Sequence, residues 1–127
     1  MKVTAIALVL MLLGGCCQSA FDSCERAFDS NAWQLADAAS EEGRYKLIPA
    51  LTRDHLIVGR GREALRSLLG KPDESEAAPR WWTARGRYDA YVVRFYYNII
   101  DYDTEYLLLI YDEKDMLHSW AIATIPG

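Results

Sequence analysis

The sequence predicts a single α+β domain, with two short helices packed on an antiparallel sheet of three or four strands. Three observations predict it. Leucines recur at helical spacing across residues 44–70, aromatic and β-branched residues alternate across residues 91–124, and turn-forming residues separate the runs. A chain of 127 residues has room for one modest core and not for two ordinary ones.

Leu47 and Leu51 are four apart, and Pro49 suits a first turn better than a helix interior, so the first helix is expected over residues 49–55. Gly59 and Gly61 then mark a turn. Leu65, Leu68 and Leu69 place an apolar stripe on a second helix over residues 62–69. Gly70 would end it as a left-handed cap, and Pro72 prevents its continuation.

Residues 71–79, with Asp73, Glu74 and Glu76, read as a polar loop, and residues 80–85 as a candidate fourth strand. Next, Tyr91, Val93, Phe95 and Tyr97 would form one face of a strand, with Val92, Arg94, Tyr96 and Asn98 on a more polar face. A strand at 106–111, a turn at 112–115 and a last strand at 117–124 follow. Short connections imply antiparallel pairing, with the helices covering the apolar face.

The amino terminus reads as an address. Lys2 precedes thirteen uncharged, mostly apolar residues, which fits a signal-peptide core and is too short to span a bilayer as a helix. The run Leu13-Gly14-Gly15-Cys16 resembles the lipobox of bacterial lipoproteins. That resemblance implies cleavage before Cys16 and a diacylglycerol thioether on its sulfur, with the membrane bound through that anchor. The plainer alternative is an ordinary secretory signal ending in a small residue. Cys17 follows the anchor where retained inner-membrane lipoproteins carry aspartate, so in a Gram-negative cell the resemblance implies the outer membrane, facing the periplasm.

The organisation expected is therefore a signal peptide at 1–15, a lipidated tether and packing arm at 16–40, and one domain at 41–127. Phe28 and Trp33 stand five apart in the arm and would dock on the domain. Cys17 and Cys24 could form a short-loop disulfide in an oxidising compartment, or stay as two thiols in the tether; spacing does not choose between them.

Residues 1–15 hold one charge, Lys2, so the chain from Cys16 carries thirteen basic and eighteen acidic side chains, a formal charge of −5. An acidic domain lacks the cationic face that phosphate neutralisation needs, which excludes nucleic acid as a general partner. Oligomeric state is not legible from the sequence.

A search for chemistry finds no site. His55 and His118 stand sixty-three residues apart, without His-Glu-x-x-His or Cys-x-x-Cys spacing, so neither a metal nor a cofactor is expected. Asp101, Asp103 and Glu105 alternate, but the glycine and later acid of a calcium loop are missing, and they read as a solvated acidic loop. Ser67, Ser75 and Ser119 lack a nucleophile elbow, and an enzyme is not expected.

The sharpest remaining cluster is Arg80, Trp81, Trp82, Arg85 and Arg87, in which flat aromatic surface alternates with cations. Such residues anchor protein interfaces or meet lipid headgroups. The plainer alternative puts the tryptophans in the core and leaves the arginines solvated. Asp101 and Asp103 make a second candidate contact.

Gly59, the run Leu68-Leu69-Gly70-Lys71-Pro72, the strand at 106–111 and the closing segment 116–120 together resemble small lipoproteins with an SmpA/OmlA (BamE-like) domain. That resemblance implies a helical pair followed by an antiparallel sheet, similar to the β-lactamase-inhibitor-protein architecture, and a protein-binding role. The expected function is an envelope lipoprotein that binds an envelope protein, accessory to outer-membrane assembly or envelope integrity. The alternatives are an inhibitor of a secreted or invading enzyme, and a cryptic envelope hydrolase.

Overall fold

The computed structural model describes residues 27–36, 43–79, 85–97 and 102–126. The signal segment, Cys16, Cys17, Cys24, Arg80, Trp81, Trp82 and Asp101 lie outside them, as does most of the strand expected at 80–85. The described residues form an α+β fold. Its elements are α1 (Ser30–Leu35), a 3-10 turn (Tyr45–Leu47) running into α2 (Ile48–Asp54), α3 (Arg62–Leu69), β1 (Glu74–Ser75), β2 (Arg87–Tyr97), β3 (Tyr102–Tyr111) and β4 (Leu117–Pro126). The four strands pair antiparallel in chain order.

α3 occupies the residues its leucine spacing predicts. Its buried stripe is richer in charge than expected, because Arg62 and Arg66 share the i, i+3, i+4, i+7 face with Leu65 and Leu69. Gly70 ends it at φ 83°, ψ −167°, an extended positive-φ conformation rather than the left-handed helical cap expected. α2 begins at Ile48, one residue earlier than predicted, because the 3-10 turn delivers the chain already coiled.

α1 is capped by Asp29, whose side chain accepts from the backbone N–H groups of Asn31 and Ala32. It carries Trp33 into the main core, where the indole is completely buried with Leu51, Leu65, Leu69, Tyr91, Val93, Leu107, Leu109 and Leu117. Phe28 stacks beside it, its ring 5.9 Å from that of Trp33 and 5.4 Å from that of His55. Arg44 fastens the arm to the sheet: it donates to the carbonyls of Trp33 and Val92, and its guanidinium lies 5.0 Å from the Trp33 ring centre.

Three sequence expectations change. Residues 71–79 are not a polar loop throughout, since Glu74 and Ser75 are buried and pair with Ala90 and Asp89 as β1. The strict two-face alternation of β2 also fails. Val92 opposes Tyr106 and Arg94 opposes Glu105, so Val93 is an extra residue in a bulge. The bulge moves Arg94 onto the helix-side face, where it covers the Tyr45 ring, and sends Phe95 to the other.

The third concerns the acidic residues. Asp103 and Glu105 belong to β3, and Glu105 is buried and ion-paired with Arg94, so this half of the expected acidic loop is strand. The far face of the sheet is also apolar, with Tyr88, Ala90, Tyr106 and Leu108 in a second buried cluster.

Candidate functional site

The sequence-predicted residues Arg85 and Arg87 stand at the entry to β2, both exposed, at the end of the sheet where β3 turns into β4. Gly86 sits between them at φ 86°, a conformation that glycine adopts without strain. Arg87 opposes Tyr111 in the ladder, and its Nη1 donates to Asp115 Oδ1 at 2.9 Å. Gly86, Arg87, Tyr111, Asp112, Glu113 and Lys114 enclose a groove of about 560 Å³ there.

The turn that forms its second wall is built tightly. Asp112 Oδ1 accepts from the N–H groups of Lys114 and Met116, which holds its carboxyl below the usual range, and Asp115 takes φ 59° to close the hairpin. Asp115 also accepts from Arg62 Nη1 at 3.4 Å, and its carbonyl accepts from the Arg62 N–H. The exposed cation Arg87 is thus positioned through Asp115 by the start of α3.

Behind the groove lies a buried charge cluster. Asp89 is completely buried and its two oxygens accept four hydrogen bonds: from Arg62 at 2.8 Å, from Arg66 at 2.7 and 2.9 Å, and from the Tyr111 hydroxyl at 3.1 Å. Burial alone would raise its pKa. The Arg66 and Arg62 hydrogen bonds outweigh that and hold the carboxyl below its ordinary value. Burial raises the Tyr111 hydroxyl well above its ordinary value, so it stays a donor.

Arg62 completes the set with a two-pronged pair to Glu76, at 2.7 and 2.9 Å, and a bond to the Tyr88 carbonyl. The Arg62 hydrogen bond lowers the Glu76 pKa to about 2. Its guanidinium also lies 4.8 Å from the Tyr111 ring centre. Every Asp89 lone pair faces a donor, so this carboxylate holds structure and is not free to take a proton from a substrate, while the Arg62 Nε is the one buried atom of the cluster without a partner among the described residues.

Asp103, the other described candidate, sits at the opposite end of the sheet, paired with Tyr96 and Pro126. On β3, Asp103 lies eight positions from Tyr111, the partner of Arg87, roughly 27 Å at strand rise, so the basic and acidic candidates stand at opposite ends of the sheet. Sequence reasoning missed Asp89, Glu76 and Asp115 as the groups that position Arg87. The available signal was two arginines four residues apart on the leucine face of a short helix, which demands buried acids opposite.

His55 closes α2, where Arg60 donates to its carbonyl at 3.1 Å and contacts Nδ1 at 3.2 Å, while His118 is exposed on β4. Among the described residues, no three His, Cys, Asp or Glu side chains gather as a metal site. No protein-family model, curated protein or solved structure matches the chain.

Proposed function

We propose that the chain is a lipid-anchored envelope protein, tethered through Cys16, whose domain binds another envelope protein at the sheet end formed by Arg85, Arg87 and the β3–β4 turn. The observation that carries this reading is the positioning of Arg87. A solvated arginine with no task needs no fixed partner, yet this one is oriented by Asp115 beside a groove. It also stands five positions after Trp82 in the Arg80-Trp81-Trp82 run, the residue types that anchor interfaces. The lipobox-like run before Cys16 and the resemblance to SmpA/OmlA-type lipoproteins supply the compartment.

The test joins anchor and site. A photo-crosslinking residue placed at Glu113 in the full chain, in native membranes, is expected to give one discrete envelope-protein adduct, lost in Arg87→Ala. Cys16→Ser is expected to move the protein out of the membrane fraction and abolish acyl labelling. Membrane retention with unchanged labelling would sink the anchor, and an adduct pattern indifferent to Arg87 would sink the site.

A further inference from the structure

We infer that the turn at 57–60, with Trp120 of β4 flanking it, is a membrane-docking surface that seats on the bilayer holding the Cys16 lipid. The inference rests on the anchor proposed above. Ile57 and Val58 stand side by side at the tip of this turn, 56% and 72% exposed. Soluble folds seldom present two consecutive large apolar side chains to water without a use for them.

The turn is a built feature. The Ile57 carbonyl accepts from the Arg60 N–H at 3.0 Å, and Gly59 takes φ 92° at the third position, as such a turn requires. Gly59 N–H donates to the Leu117 carbonyl at 2.8 Å, and Leu117 N–H donates to the Arg60 carbonyl at 2.7 Å, which fixes the turn against the start of β4. With these backbone groups paired inside the fold, the tip offers its surroundings chiefly hydrocarbon, the surface that enters lipid at least cost. Trp120 follows three residues beyond Leu117, roughly 10 Å at strand rise, and is 39% exposed on the helix-side face. Tryptophan favours the headgroup level, with aliphatic side chains reaching below it.

Two observations select a bilayer as the occupant. The first is where the chain enters the fold. The Phe28 ring lies 5.4 Å from that of His55, two residues before Ile57. Cys16 precedes Phe28 by twelve residues, a length that spans at most about 43 Å extended. A coil of that length averages about 20 Å. The lipid on Cys16 therefore holds this corner at high effective concentration beside the membrane. Pro126, nine residues beyond Leu117 on β4, is roughly 30 Å further off.

The second is charge. Anionic headgroups repel an acidic surface, and the chain carries a formal charge of −4. Residues 55–61 contain one charged side chain, Arg60, and no acid, and residues 116–126 contain no acid. This corner is where an acidic chain approaches headgroups most easily. A protein partner would also need a socket shaped to two adjacent β-branched side chains on a convex turn, whereas fluid acyl chains accept them without one.

The experiment uses the lipidated full chain in vesicles of phosphatidylethanolamine and phosphatidylglycerol, with a diazirine-bearing aliphatic residue placed at Val58 or, as control, at Ala78, exposed beyond β1 at the other edge of the sheet. Irradiation is expected to give phospholipid adducts at position 58 at least tenfold more often than at 78. Ile57→Asp should cut the adducts at 58 several-fold. Equal yields at the two positions overturn the inference, as does an adduct at 58 in native membranes that is protein rather than lipid. Should Ile57→Asp misfold by circular dichroism, the comparison of 58 with 78 decides alone. Acyl labelling separates the failures: a chain labelled at Cys16 without lipid adducts at 58 loses the docking surface and keeps the anchor, and an unlabelled chain loses both.

Discussion

Arg62 Nη2 and Asp89 Oδ1 meet at 2.8 Å across the packing of α3 on β2, with Asp89 completely buried and Arg62 only 7% exposed. Two charges out of water are tolerated because each has several partners: Asp89 accepts from Arg66 and Tyr111 as well, and Arg62 donates to Glu76 and the Tyr88 carbonyl, leaving only its Nε without a partner among the described residues. Such a pair adds little net stability over a well-packed apolar substitute, but breaking it strands the surviving charge.

Asp89→Ala is therefore expected to cost about 3–5 kcal/mol, since it leaves the Arg62 guanidinium buried without its deepest acceptor. Urea unfolding followed by circular dichroism measures it. A loss below about 1 kcal/mol would mean that Arg62 swings out to water on its own.

The same cluster sets the response to acid. Asp89 and Glu76 have folded-state pKa values below their ordinary ones, so the stability they contribute is fully present above the ordinary carboxylate range. It is lost as pH falls through the folded values. For Glu76 the window runs from 4.5 down to about 2, and the melting temperature should drop across it. Glu76→Gln should flatten that drop, and an unchanged slope would remove Glu76 from the account.

Gly70 holds φ 83° and ψ −167°, a region essentially confined to glycine, and a Cβ there would meet the Gln34 side chain at 3.2 Å. Gly70→Ala should cost about 1–3 kcal/mol through backbone strain, even though Gln34 is exposed enough to move aside. The denaturation midpoint checks it, and a neutral substitution would show that the chain leaves α3 by another route.

Some elements were legible in the sequence because a single physical signal marked them. α3 was readable from its leucine spacing and from Gly70 and Pro72, and the β3–β4 turn from its polar run. β2 was only half readable, because the sheet buries apolar groups on both faces and so erases the polar–apolar alternation over Tyr88, Asp89 and Ala90. The Val93 bulge then reversed the faces beyond it, which no pattern of residue types announces. The charge cluster was hidden for a different reason: Arg62, Glu76, Asp89 and Asp115 are spread over fifty-four residues, and only the packing of α3 on the sheet brings them together.

Trp33 tests whether the amino-terminal arm belongs to the folded unit. Its ring is completely buried in the main core, beside Tyr91 at 6.1 Å between centres, while Ser30 and Gln34 of the same helix donate to the Leu68 carbonyl at the end of α3. Trp33→Ala should cost about 3–5 kcal/mol, the range for removing a large aromatic from a core. Trp33→Phe should cost clearly less, because the indole N–H has no hydrogen-bond partner among the described residues, so only volume is lost. Equal losses in the two variants would assign the indole nitrogen a partner, and two negligible losses would make the arm a detachable tether. Differential scanning calorimetry of the full chain and both variants in the same detergent makes the comparison, with the order wild type, Phe, Ala in falling melting temperature as the expected result.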